Sequence, residues 1–271
     1  MKIKLMLFLV LSVFLFCSST WALDLGNNIT IYDNRSSGTG WFAGSQANPH
    51  EDQEVEPGMQ TGQVWDLEGF FLDGTTLAVV GGFDFEDGYG GYDSGDIFID
   101  TDGVVKYGTD AELGQMSGDG ITTISNVYGY EYVLDLDFDS MTYSVLQLSS
   151  DSFLSVYFDE NEGSNPWRYK EGGSKVSGWQ GKSFEFYKEG LGDSEVADLL
   201  GGSHYAFAVD LGFLPEGTEF ISHFTIECGN DNLMGQGTIP APEPATMLLV
   251  GTGLIGLAGL VRRKVKTHKS S

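Results

Sequence analysis

The sequence predicts an all-β fold, an antiparallel β-sandwich of which a jelly-roll is one form, on three observations. Short runs of alternating apolar and polar residues recur along the chain. Turn residues separate them, with 38 glycines among 271 residues. No long stretch repeats at the 3.6-residue period of an amphipathic helix. Many short strands spaced by turn signals are the pattern of sandwiches and barrels.

The chain opens with Lys2 and Lys4, an apolar run from Leu5 to Leu11 that resumes from Val13 to Phe16, and then CSSTWA. A positive start, a short apolar core and small residues at Thr20 and Ala22 predict a secretory signal peptide over residues 1–22, cut after Ala22. The apolar stretch falls short of the roughly 20 residues of a spanning helix. With Cys17 removed alongside it, the exported chain keeps Cys228 alone, so no internal disulfide can form. Cys228 sits where an apolar strand enters a polar Gly/Asn turn, a setting that predicts packing as a small apolar group.

Residues 23–240 form the expected acidic β domain, a single unit without internal repeats. Within it EYVLDLDF sets Tyr132, Leu134, Leu136 and Phe138 on one face, and Val133, Asp135 and Asp137 on the other. The turn DSM leads into TYSVLQL, and SSDS into FLSVYF, which predicts a three-stranded meander. Further strands are expected in TTLAVVGGFDF, GDIFID, SFEFY, HYAFAVDLG and FISHFTIE. One short helix is expected in DSEVADLL, capped by Asp193 or Ser194. Trp65, in the apolar VWDLEGFFL, is expected in the core. HEDQEVEPG (50–58) and the segment 160–182 read as polar loops.

Charge bounds the function. Residues 23–240 hold 38 acidic and seven basic side chains, a net charge of −31. Such a field repels nucleic acid and anionic lipid and attracts cations, so nucleic-acid binding is excluded. The densest acidic stretch is FDFEDGYGGYDSGDIFIDTDG (83–103). Calcium takes six to eight hard oxygen ligands, and Asp96 and Asp100, at even spacing on one strand face, are the expected ligands together with Asp93. The stretch lacks the EF-hand spacing, and its Asp-Gly pairs serve equally as hairpin turns.

No catalytic motif is present. YDSGD around Ser94 echoes the serine-protease GDSGG over three residues only. His50, His204 and His223 have no partner motif such as H-E-x-x-H, and each is expected to be structural. The expectation is a protein that is not an enzyme. Trp167, Tyr169 and Trp179, in the polar segment, are the residues whose rings could stack on sugars, the basis of an alternative reading as a carbohydrate-binding module or a secreted polysaccharide-active enzyme.

The C-terminal segment 241–266 reads APEPATMLLVGTGLIGLAGLVRRKVK. Ala245 to Val261 is 17 residues without a charge, at the short edge of the spanning range. Gly251, Gly253, Gly256 and Gly259 suit close helix packing in a membrane, and the basic residues that follow favour a cytoplasmic end. Pro242, Glu243 and Pro244, the apolar helix 245–261, and Arg262 and Arg263, in that order, resemble a PEP-CTERM sorting signal. The resemblance implies an exported protein of a Gram-negative bacterium, handled first by the general secretion machinery. An exosortase then recognises the tail in the inner membrane and cuts near the Pro-Glu-Pro. The body is left at the cell surface or in the extracellular matrix, in an exopolysaccharide or biofilm setting with a structural or adhesive role. KVKTHKSS beyond the arginines is longer than many such tails carry.

Overall fold

The computed structural model describes residues 25–32, 51–56, 59–106, 120–158 and 164–241. The expected signal peptide with Ala22, and Pro242, Glu243, Pro244, the helix 245–261, Arg262 and Arg263, lie outside the described residues. So does His50.

Among the described residues the chain is strand and turn with almost no helix, and every strand pair is antiparallel. One sheet has five strands in the order β1 (Asn27–Asn28), β3 (Leu67–Asp73), β4 (Thr76–Gly81), β14 (His204–Asp210) and β13 (Glu185–Leu191). A larger sheet runs β11 (Ser174–Lys175), β8 (Thr142–Gln147), β7 (Tyr132–Asp137), β5 (Ile97–Asp100), β15 (Glu219–Thr225), β16 (Asn232–Thr238) and β2 (Thr30–Ile31), with β12 (Lys182–Ser183) also on β8.

The two sheets face each other in the manner of a sandwich. Phe70, Leu77, Val79, Phe207 and Val209 of the first meet Ile97, Ile99, Leu134, Val145, Phe224 and Leu233 of the second in the main core. Phe207 lies edge-on to Phe85 at 4.9 Å and near Phe224 at 5.7 Å, so aromatic packing fills the space between the sheets. Asn27 to Ile31 crosses from one sheet to the other, and Thr30 ties the seam: its Oγ1 donates to the Phe70 carbonyl and accepts from the Phe70 N–H.

A third sheet, β10 (Arg168–Glu171), β9 (Phe153–Phe158) and β6 (Gly120–Ser125), covers the outer face of the larger one. Val133, Phe98 and Leu146 turn outward there and pack with Leu154, Val156, Tyr128 and Tyr130. The expected meander is corrected on this point. β7 and β8 form the hairpin, but β9 leaves β8 and pairs with β6 and β10. Val133 and Leu146 need an apolar cover, and β9 supplies it by crossing over instead of extending the sheet.

The expected helix is also corrected. Only Asp193–Glu195 makes a 3-10 turn, with Gly192 as the residue before it. Asp193 and its neighbours cannot continue a helix because Ala197 and Asp198 take positive φ, 62° and 63°. The turn instead lays Val196 and Leu199 on the outer face of the five-stranded sheet, against Phe71, Ala78 and Val80. Trp65 is half-buried, packing edge-on to Tyr89 at 5.0 Å and against Phe83 and Tyr92.

One glycine fixes how the chain closes around the far end of β4. A Cβ on Gly82 would lie 1.8 Å from the Gln63 carbonyl oxygen, while the Gly82 N–H donates to the Asp66 carbonyl at 2.8 Å. Gly82→Ala must displace backbone, so urea denaturation is expected to show a loss of about 1–3 kcal/mol. An unchanged midpoint would contradict this packing.

Candidate metal centre

The start of β3, the start of β14, the end of β4 and the β15–β16 hairpin meet at one end of the two main sheets. Glu54, Glu56, Asp66, Glu68 and Asp231 are all buried there, none more than 7% exposed. Ionised carboxylates are seldom buried without a paired cation, so each needs an account.

Glu68 has one. It is the extra residue of a bulge in β3, where Leu67 faces Gly81 and Gly69 already faces Val80. The bulge turns its carboxylate to His204, whose Nδ1 lies 2.7 Å from Oε2 and 2.9 Å from Oε1. Gln63 Nε2 donates to Oε1 at 2.6 Å. On the far side of the ring, His204 Nε2 meets Asp193 Oδ1 at 3.0 Å. Burial disfavours charge on His204, but the bonds to Glu68 and Asp193 outweigh it and raise its pKa. Burial raises Glu68 as well, and His204 only moderates that rise.

Among the described residues Asp66 and Asp231 have no such partner. Asp66 Oδ2 accepts from the Gln53 N–H at 2.9 Å, while its buried Oδ1 has no hydrogen-bond donor. Burial, then the nearby Glu68 charge, pushes Asp66 up to about 9. Asp52, Asp66 and Glu68 each bring a carboxylate oxygen within 4.8 Å of the others. Asp231 Oδ2 accepts from the Leu67 N–H at 2.5 Å, and Oδ1 from the Asn232 N–H at 2.8 Å. Burial, then Asp66 and Glu54, raise Asp231 well above the usual carboxylate range.

Residues 56 and 60 are bound to the same place. The Glu56 N–H donates to the Asn230 carbonyl at 3.2 Å, and Asn230 exchanges two hydrogen bonds of 2.9 Å with Gln60. Asn232 Nδ2 donates to Glu56 Oε1. Of these carboxylates, those of Asp52, Asp66 and Glu68 converge, and they are hard oxygen donors of the kind a divalent cation takes.

These residues were not singled out from the sequence. The available signal was the i, i+2 spacing of Glu54 with Glu56 and of Asp66 with Glu68, which puts two carboxylates on one face of an extended chain. The residues that were singled out lie elsewhere. Asp96 is buried and accepts from the Leu136 and Tyr169 N–H groups at 2.8 and 2.7 Å, so both its oxygens are engaged by backbone. Burial, then Asp135, pushes it up to about 7. Asp100 is brought together with Asp102 and Glu131 within 4.8 Å. Asp93 is exposed and lines a separate cavity of about 220 Å³ with Glu86, Asp137 and Arg168.

Trp167 is 5% exposed, so its ring offers no open face for a sugar. Tyr169 packs toward the third-sheet cluster and Trp179 toward the main core, beside Phe213 at 5.6 Å and under Lys182 Nζ at 5.1 Å. Cys228 is half-buried against the main core. Ser94 Oγ donates to the Phe85 carbonyl at 2.8 Å, and buried His223 bonds through Nε2 to the Pro166 carbonyl at 2.9 Å.

Comparison with known proteins adds the tail. Residues 240–264 match the family model of the PEP-CTERM protein-sorting motif. No curated protein and no solved structure matches the chain. The last described strand, β16, ends at Thr238, and the matched motif begins at residue 240. The chain thus carries a PEP-CTERM protein-sorting motif at residues 240–264, which indicates exosortase-dependent sorting of an exported protein.

Proposed function

We propose that the exported body is a non-enzymatic structural or adhesive component of the cell surface or extracellular matrix of a Gram-negative bacterium, working in an exopolysaccharide or biofilm setting. The observation that carries this reading is a strongly acidic β body, net −31 over residues 23–240, joined directly to the sorting motif. The serine and the two histidines weighed above that lie among the described residues support it. Ser94 is bonded to a backbone carbonyl, His223 is buried on another, and His204 is held between two carboxylates. Catalysis by any of them would first have to break a bond that holds the fold. The general secretion machinery and the inner membrane are met in transit, through a cleaved signal at Ala22 and the helix 245–261.

A second reading, carbohydrate binding, is favoured by Trp179, which is half-buried beside Lys182 in a chain destined for a polysaccharide-rich surface. The test is recovery of the protein from washed cells and from the matrix, followed by mass spectrometry. The surface form is expected to end near Pro242–Pro244 and to leave glycans uncut. An intact C-terminus would contradict the processing, and detectable glycan cleavage would overturn the non-enzymatic reading. Retention on an exopolysaccharide column that Trp179→Ala abolishes would favour the second reading.

A further inference from the structure

We propose that the carboxylates of Asp52, Asp66 and Glu68 bind a calcium ion, and that the ion clamps the turn at Asp52 to the start of β3. Each of the three brings an oxygen within 4.8 Å of the other two. That is the span of two calcium–oxygen bonds of about 2.4 Å, so one ion can bridge them. Side-chain hydrogen bonds hold the group in place. Asp52 Oδ1 accepts from the Leu200 N–H at 3.0 Å, and Gln53 Nε2 donates to the Leu200 carbonyl at 2.7 Å. The Gln53 N–H donates to Asp66 Oδ2 at 2.9 Å, and Gln63 Nε2 to Glu68 Oε1 at 2.6 Å. Gly201 makes room for the Gln63 amide, because a Cβ there would lie 1.7 Å from Gln63 Oε1.

One oxygen points to a ligand independently of the cluster. Asp66 is 2% exposed, Gln53 occupies its Oδ2, and among the described residues no hydrogen-bond partner reaches its Oδ1. The charges that act on this carboxyl are those of Glu68 and Asp52, so it faces the other two members of the group. A buried polar atom normally makes a bond, and Oδ1 forfeits it. A proton on Asp66 would cancel the charge and still leave Oδ1 unbonded, because no acceptor lies in reach either. A cation between the three carboxylates supplies both the charge and the bond.

Glu68 is prepared as a ligand. His204 and Gln63 fix its carboxylate, and outer hydrogen bonds of this kind orient the ligands of metal sites. His204 itself is a support, since its Nδ1 is engaged by Glu68 and its Nε2 by Asp193. Asp52 is half-buried and gives the group its access to solvent, while Asp66 also lines a cleft of about 230 Å³ with Gln53 and Gln63. Three carboxylates without thiolate or imidazole favour calcium over zinc. Carboxylates from separate turns, with water filling the remaining positions, also suit calcium better than the strict octahedron that magnesium demands. Asp100, Asp102 and Glu131 converge in the same way, but none of their oxygens is buried without a partner, so that group is the comparison. Extracellular modules bind calcium in the range of about 10⁻⁴–10⁻³ M.

The test is thermal unfolding of the full chain in detergent, stripped with EGTA and titrated with calcium chloride. Calcium at about a hundredfold excess over Kd is expected to raise Tm by about 5–10 °C. Asp66→Asn removes a buried carboxyl, so it should unfold no lower than the wild type in EGTA and should lose the calcium shift. Asp52→Asn keeps the oxygen that accepts from Leu200 and should weaken calcium affinity about tenfold or more. Asp102→Asn, in the comparison group, should keep the full shift. No shift at about 10 mM calcium, a wild-type shift in Asp66→Asn, or a shift lost only in Asp102→Asn would overturn the proposal. Should Asp66→Asn fail to fold, the Asp52→Asn titration decides: unchanged affinity overturns the site.

Discussion

Replacing His204 with alanine is expected to lower the unfolding free energy by about 3–5 kcal/mol at neutral pH. The ring and the Glu68 carboxylate are both fully enclosed, and the bond between them is 2.7 Å. Deleting the ring leaves Glu68 buried with Gln63 as its remaining side-chain donor. Asp193, at 43% exposure, is the minor partner because water screens it. The sign of the pH dependence follows from the raised His204 pKa. Its stabilisation is fully present below the unfolded value of about 6.5 and is lost as pH rises through the higher folded value. The gap between wild type and His204→Ala should therefore narrow in alkali, down to the hydrogen bond that neutral imidazole still makes. A double-mutant cycle with Glu68→Gln, followed by urea denaturation, should return a coupling of about 1–3 kcal/mol. Coupling near zero would mean that the two side chains are neighbours and not partners.

The second large effect is that of pH on the chain, which is expected to lose stability as pH rises. Asp66 is pushed up to about 9 and Asp96 to about 7, each first by burial, and Asp100 to about 6 by burial and then Glu131. Asp231 moves the same way. A carboxyl whose folded pKa is raised is most stabilising below its unfolded value near 3.8, and that stability is lost as pH climbs through the folded pKa. Each such group contributes a slope on the order of 1.4 kcal/mol per pH unit while it stays protonated in the fold and ionised in the unfolded chain. His223 opposes them. Burial lowers it to about 4, so its contribution is present above about 6.5 and is lost as pH falls toward 4. One histidine against four carboxyls leaves the carboxyls in control between about pH 5 and 8.

The parts of the molecule that were legible in the sequence are the linear ones. The sorting tail is read from consecutive residues, Pro242 to Arg263, and needs no fold to be recognised. The β7–β8 hairpin was legible because Leu134, Leu136, Tyr143 and Val145 alternate on one buried face. β16 was not, because NLMGQGT resembles a turn. Its Gly235 is there to admit Phe70 from the opposite sheet, where a Cβ would meet the Phe70 ring at 3.0 Å. The third sheet stayed hidden for a related reason: Val133 marks a second buried face, but one apolar residue between Glu131 and Asp135 does not say what covers it.

The acidic centre was the least legible. HEDQEVEPG looks like a solvated loop, and GNDN like a turn. Burial of Glu56 comes from Asn232, 176 residues away, and that of Asp231 from Leu67, 164 residues away. Pairing at that separation leaves no local periodicity. The 83–103 stretch drew attention because its carboxylates are dense in sequence, yet the fold spends Asp96 on backbone N–H groups and sends Asp93 to another cavity.

The central claim is that the protein's own cations leave Asp66 and Asp231 uncompensated. The most direct measurement is the unfolding free energy in EGTA at about pH 5 and about pH 8. The chain should be several kcal/mol more stable at about pH 5 than at about pH 8. Equal stability at both pH values, or greater stability at about pH 8, would contradict it.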